Sequence, residues 1–234
     1  MKRIGLLALV LAVASGATAA VALAAAASPK AFRASVVRTA LAQKSLRWVE
    51  HDYAGNVAVS SSADVNAHSG TQYLTVTIGK QSGTIHIVFI NGIAYVEGQA
   101  LGLAVNLGLT NAQATQYAGR WISVTKGDKA YAATADGLTL ASIVHDVTPH
   151  GPLELVKKEF HGKQVFALEA LGGPQQAPVF RVLVAPRKGQ RLPIEASSIN
   201  PSRALSTHTD FSRWNEPVNV HAPSGSIPIA TVRS

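Results

Sequence analysis

The side chains best suited to acid–base or metal chemistry in this sequence are its eight histidines, and their placement argues against both uses. His51, His68, His86, His161, His208 and His221 are scattered, and only His145 and His150 stand near each other. Their offset misses the i, i+4 spacing of a helical metal pair, and Pro149 breaks any helix between them. Asp128, Asp136 and Asp146 fall at expected helical turns, where capping and solvation explain a carboxylate better than acid–base work. The chain lacks a Gly-x-Ser-x-Gly elbow, a phosphate-cradling glycine loop and a His-Glu-x-x-His zinc helix. It also lacks cysteine, which excludes disulfides, thiolate metal sites, a cysteine nucleophile and lipid attachment through an N-terminal cysteine. The reading is of a protein that is not an enzyme, with no catalytic residue, no metal ligand and no cofactor.

What remains is apolar surface. Leu74, Val76 and Ile78 alternate with Tyr73, Thr75 and Thr77, as a strand with one greasy and one hydroxyl-bearing face requires. Ile85, Ile87 and Phe89 oppose Val88 and Ile90, so this next strand is apolar on both sides. A passage from Leu101 to Leu109 is apolar in nearly every direction, and its glycines weaken a regular helix. It lies between a strand ending at Gly98 and a helix opened by a Thr110–Gln113 capping box and stopped by Gly119. Such a passage either fills a core or forms a lid over an apolar cavity. The candidate cavity wall is Leu74, Val76, Ile78, Ile85, Ile87 and Phe89 from the sheet, with Leu101, Leu103, Val105 and Leu107 from the passage. Trp48, Trp121 and Trp214 suit packing between sheet and helix, with an aromatic platform for sugars as the alternative.

The elements that must position these residues follow in order. Ser28 caps a helix running from Pro29 to Gln43, with Phe32, Val36, Val37 and Leu41 on one side. Strand patterns cover 46–53, 56–65, 72–78, 84–90 and 93–98, joined by Gly-containing turns, and Trp121 to Val124 adds another. Two short helices are expected, one capped by Asp128 and running to Ala135, one from Thr139 to Val147. The second half returns to strands at 153–160, 164–171, 179–185, 192–199, 205–211 and 218–222. About eleven strands, mostly in hairpins, with the helices clustered rather than alternating, predict an α+β fold. A long antiparallel sheet of that kind bends strongly as it twists, and the helices sit in its concave face.

The ends and the charge bound the setting. Met1-Lys2-Arg3 is followed by an uncharged run from Ile4 to Ala27 that closes on small residues, the form of a secretory signal peptide over 1–27, or of an uncleaved N-terminal anchor. Residues 28–234 then make a single domain, exported to the cell envelope or secreted. Without Lys2 and Arg3, 19 basic against 13 acidic side chains leave a charge of +6. That excess favours contact with anionic lipid headgroups, while its thin spread excludes a nucleic-acid stripe. The chain reads as a monomer.

The order Trp48-Val49-Glu50, Gly92-Ile93-Ala94-Tyr95-Val96, then Tyr117-Ala118-Gly119-Arg120-Trp121-Ile122-Ser123-Val124 resembles the actinobacterial envelope family of LppX, LprA, LprF and LprG. The ending resembles it too, in Leu192-Pro193-Ile194-Glu195, in the run from Phe211 to Val220, and in Ala222-Pro223. The resemblance implies a LolA-like half-barrel around a hydrophobic cavity for the acyl chains of lipids or lipoglycans, serving binding or transport without catalysis. It also implies a cysteine anchor, which this chain does not have. A second function stays open: an envelope protein–protein interaction or sensory domain on the same half-barrel, without a functional cavity. For the first, charged replacements at Leu103 and Leu107 are expected to abolish lipid loading.

Overall fold

The computed structural model describes residues 28–170, 179–184, 190–200 and 204–234. The expected signal segment lies outside them, as do the turns at 172–174 and 187–189. The first helix, α1 (Pro29–Leu41), is capped by Ser28, whose hydroxyl accepts from the Ala31 N–H at 3.2 Å. Five antiparallel strands follow as a meander: β1 (Ser45–Ala54), β2 (Val57–Asn66), β3 (Gly70–Ile78), β4 (Gln81–Ile90) and β5 (Ile93–Gly98). Next come α2 (Ala100–Leu107), α3 (Asn111–Tyr117), β6 (Ile122–Val124), α4 (Tyr131–Ala135) and α5 (Leu140–Asp146). The chain then returns to strands: β7 (Leu153–Phe160), β8 (Lys163–Ala170), β9 (Val179–Val184), β10 (Pro193–Asn200) and β11 (Leu205–Ser212). It closes with β12 (Ile227–Pro228) and α6 (Ile229–Arg233).

The twelve strands among the described residues share one open, bent sheet, in the order β12-β6-β5-β4-β3-β2-β1-β11-β10-β9-β8-β7. The expected α+β class and wrapped antiparallel sheet are what the structure has. Twelve flat strands at about 4.8 Å spacing would spread beyond 50 Å and expose their apolar face, so twist and curvature bring that face around the helices. The inner face carries Leu46 and Trp48 from β1, Leu74 and Val76 from β3, and Ile85 and Ile87 from β4, all in one core with Phe32 of α1 and Leu103 of α2. Burial alternates along β3 as the pattern requires, with Leu74 and Val76 inside and Tyr73 58% exposed outside.

Three expectations are corrected. The passage Leu101 to Leu109 is a helix over most of its length, because its glycines allow approach rather than breakage. Gly102 lies where α2 rests directly on β4: a Cβ there would come within 2.5 Å of Ile85 Cγ1, and one on Gly83 within 2.8 Å of the Gly102 nitrogen. Gly108, at φ 63°, ends the helix in the left-handed conformation, and Arg233 of α6 donates to the Leu107 carbonyl at 2.6 Å. Replacing Gly102 by Val is therefore expected to destabilise the fold by about 2 kcal/mol or more through overpacking against β4, measurable by urea denaturation. A change within about 0.5 kcal/mol would show that α2 is free to lift.

The second correction concerns 218–222, which forms no strand. Pro217 and Pro223 flank it and remove donors, and the neighbouring carbonyls are taken by side chains: Glu216 accepts from the Ser45 hydroxyl and Val218 from Asn66 Nδ2 at 3.4 Å. The final strand is instead β12, which runs parallel to β6. The third is Asp128, which caps no helix. Its Oδ2 accepts from the Thr125 N–H at 2.7 Å and hydroxyl at 3.0 Å, closing a turn before α4 begins at Tyr131.

Candidate functional site

A cavity of about 590 Å³ lies between the inner face of the sheet and the helical layer. On the sheet side, β1 lines it with Trp48, Glu50, Asp52 and Ala54, the residues that period-two alternation turns inward. β2 and β3 add Val59, Gln72 and Leu74; β10 and β11 add Ala196, Ser198, Leu205, Thr207 and Thr209. The opposite wall is Asn106 of α2, Ala133 of α4, the Asp136-Gly137 turn, and Ile143, Asp146 and Val147 of α5 and its end. Trp48 ties the two walls together: its Nε1 donates to the Gly137 carbonyl at 3.1 Å, and the left-handed φ of 67° at Gly137 aims that carbonyl.

Of the ten residues expected from the sequence to wall the cavity, Leu74 lines it. Val76, Ile85, Ile87, Phe89, Leu103 and Leu107 pack in the solid core, and Ile78 lies half-buried against it. Leu101 lies where a Cβ added to Gly83 of β4 would come within 3.0 Å of its own Cβ, and Val105 is 48% exposed. Leu103 and Leu107 are 0% and 1% exposed, so a charge there acts on folding before it acts on a ligand.

The residues that sequence reasoning passed over are acidic. Asp136, in the turn before α5, and Asp146, at the end of α5, both read from the sequence as capping or solvated carboxylates, meet at Ser142, whose hydroxyl lies 3.0 Å from Asp136 Oδ1 and 3.4 Å from Asp146 Oδ2. Burial first, then the hydrogen bond and charge of Asp136, raise the Asp146 carboxyl from 3.8 to about 6, against the pull of His145. Across the cavity, burial and then the Asp52 charge raise Glu50 from 4.5 to about 7, opposed by the Thr209 hydroxyl that donates to its Oε2 at 2.8 Å. The signal was present in the alternation of β1, where Glu50 and Asp52 share the parity of buried Trp48.

On the outer face, Glu195, His208 and Asp210 place their ligand atoms within 4.8 Å of one another, a spacing open to one metal ion. His208 Nε2 stands 3.5 Å from Asp210 on its own strand and 3.9 Å from Glu195 on the neighbouring one. No helix among the described residues is long and apolar enough to cross a membrane.

No protein-family model matches the chain, and no curated protein matches it. Among solved structures, LprF from Mycobacterium bovis superposes with a TM-score of 0.50 at 12% identity, over 84% of this chain and 97% of LprF. The chain has a fold similar to that of LprF, an open bent sheet wrapped around helices. The MucA/MucB complex of Pseudomonas aeruginosa gives a TM-score of 0.41 at 12% identity, over 88% of this chain and 60% of the other. A putative outer membrane lipoprotein-sorting domain from Vibrio parahaemolyticus gives 0.30 at 8%, over 80% and 92%. In the half-barrel of this chain, the cavity lies where the bent sheet faces α4 and α5.

Proposed function

We propose that this protein binds or carries lipids or lipid-like apolar molecules in the cell envelope, without catalysis, and holds the acyl part in the cavity beneath α4 and α5. The observation that carries the reading is the cavity itself: its volume falls in the range of about 300–1,000 Å³ of ligand pockets, and apolar side chains line both walls. Val59, Leu74 and Leu205 face Ile143 and Val147 across it. Each buried methylene contributes roughly 0.8 kcal/mol, so a chain of about a dozen carbons retains several kcal/mol after the losses of association. Leu74 is the one member of the sequence-derived wall that would touch the ligand, while α2 reaches the cavity through Asn106.

Filling the space tests the reading. Val59→Trp and Ser198→Trp each direct bulk inward from half-buried positions. Native mass spectrometry of protein purified from its own host is expected to show bound lipid on the parent chain and at least ten-fold less on either variant, with the melting temperature little changed. Empty parent protein, or equal loading of the variants, would overturn it.

The second reading, a protein-docking domain, draws support from the outer face. There Tyr73 is 58% exposed and stacks on His86 at 4.1 Å, with the Trp121 ring 5.1 Å beyond.

A further inference from the structure

We infer that the cavity selects amphiphiles with a cationic head, an ammonium or similar group held against the carboxylates while the tail lies on the apolar walls. The inference rests on the cavity being the ligand site. A cavity made only to shield acyl chains would have carboxylates nowhere on its wall, because each loses hydration there without gaining a partner. This one has four: Glu50 and Asp52 from the sheet, Asp136 and Asp146 from the helical layer. Among the described residues, no lysine, arginine or histidine lines it. The carboxylates meet the Thr209 hydroxyl on Glu50, the Ser142 hydroxyl on Asp136 and Asp146, the Gly137 N–H on Asp136, and, on the solvent side, the His145 ring, whose Nδ1 lies 3.6 Å from Asp146 Oδ1. Of these only His145 can carry an opposing charge, and its ring is 79% exposed, outside the cavity lining.

The arrangement also limits the kind of cation. Among the described residues only Glu195, His208 and Asp210 bring three ligand atoms within the 4.8 Å that one metal ion requires, and they lie on the outer face. The cavity carboxylates are distributed over two facing walls, a field for a diffuse charge rather than a chelate. Apolar Leu74, Ile143 and Val147 adjoin them, so head and tail surfaces are contiguous in one space. An anionic lipid head would meet like charge there, and a neutral one would leave the carboxylates without a counter-charge.

The groups that govern this field are known by position. Glu50 faces Asp52 and Thr209 on the sheet and Asp136 across the cavity; Asp146 faces Asp136, with His145 beside it on the solvent side. Acidification therefore weakens the field from both walls.

The test is isothermal titration calorimetry of the full domain, below micelle concentrations, with three ten-carbon probes: decylammonium, decanol and decanoate. At pH 8 decylammonium is expected to bind at least ten-fold more tightly than decanol, and decanoate more weakly than decanol. The preference should shrink several-fold at pH 5, and Glu50→Gln with Asp146→Asn should remove most of it, read as the ratio of decylammonium to decanol affinity within the same variant. Removing like charges favours folding of that variant, and the pH comparison on the parent chain decides the matter independently of it. Equal binding of decylammonium and decanol, preference for decanoate, or a preference that survives the double substitution would overturn the inference while leaving the lipid cavity standing. Failure of all three probes, decanol included, would overturn both.

Discussion

At pH 8, Glu50→Gln is expected to raise the unfolding free energy by about 2 kcal/mol, an unusual sign for a substitution in the wall of a cavity. The folded protein holds the Glu50 carboxyl near 7 against an ordinary value of 4.5, chiefly through burial and then the neighbouring Asp52 charge. A carboxyl whose affinity for its proton is higher folded than unfolded contributes stability that is complete below about pH 4.5. That contribution is lost as pH rises towards 7, where the folded state must ionise a group it shields from water. The full difference corresponds to about 3 kcal/mol, and water in a partly open cavity reduces it to about 2. Asp146, raised from 3.8 to about 6, adds a smaller loss of the same sign at lower pH. Glutamine keeps an oxygen for the Thr209 hydroxyl and gains N–H groups to offer Asp52. Urea denaturation at pH 5 and pH 8 checks this: the variant should exceed the parent at pH 8, and the gap should narrow markedly at pH 5. A variant weaker than its parent at pH 8 would mean that Glu50 is ionised and stabilised by contacts other than these.

Trp48→Ala should be the most damaging single truncation, costing about 3–5 kcal/mol. The ring is 2% exposed, at the junction of β1 and the Asp136-Gly137 turn, and its Nε1 is the donor to the Gly137 carbonyl. Removing it enlarges the cavity next to an existing space and strands a buried acceptor, two independent losses. Trp48→Phe separates them: most of the volume stays, so the cost should fall to about 1–2 kcal/mol, the hydrogen-bond part alone. Equilibrium denaturation of both variants distinguishes the terms. Equal losses would indicate that the bond, rather than the packing, fixes the helical wall to the sheet.

The legible part of the site was its apolar periodicity. Leu74 and Val76 were marked by alternation as one greasy face, and inward they face, with Ile85 and Ile87 of the doubly apolar strand beside them. Alternation specifies a side of the sheet, but not whether that side meets a helix or a space. α2 presses so closely on β4, through Gly83 and Gly102, that Ile85 and Leu103 become solid core, whereas α4 and α5 stand away from β1 and β11. The acidic wall was harder to read for the same reason: the residues that meet there come from elements far apart in the chain.

By itself the sequence determined the class of the protein: α+β, strands in hairpins, one helix before them and others grouped in their middle, no cysteine, and a Thr110 capping box that the structure reproduces with both of its bonds. These are local matters, decided by side-chain period, by caps and by the residue types a turn requires. Tertiary structure alone decided where the bent sheet leaves a void, and that Glu50, Asp52, Asp136 and Asp146 should border it. The void's position depends on sheet curvature and on how near each helix can approach, and both are properties of the packed whole. A carboxylate at the end of a helix looks solvated in one dimension; only the sheet folded over it takes the water away.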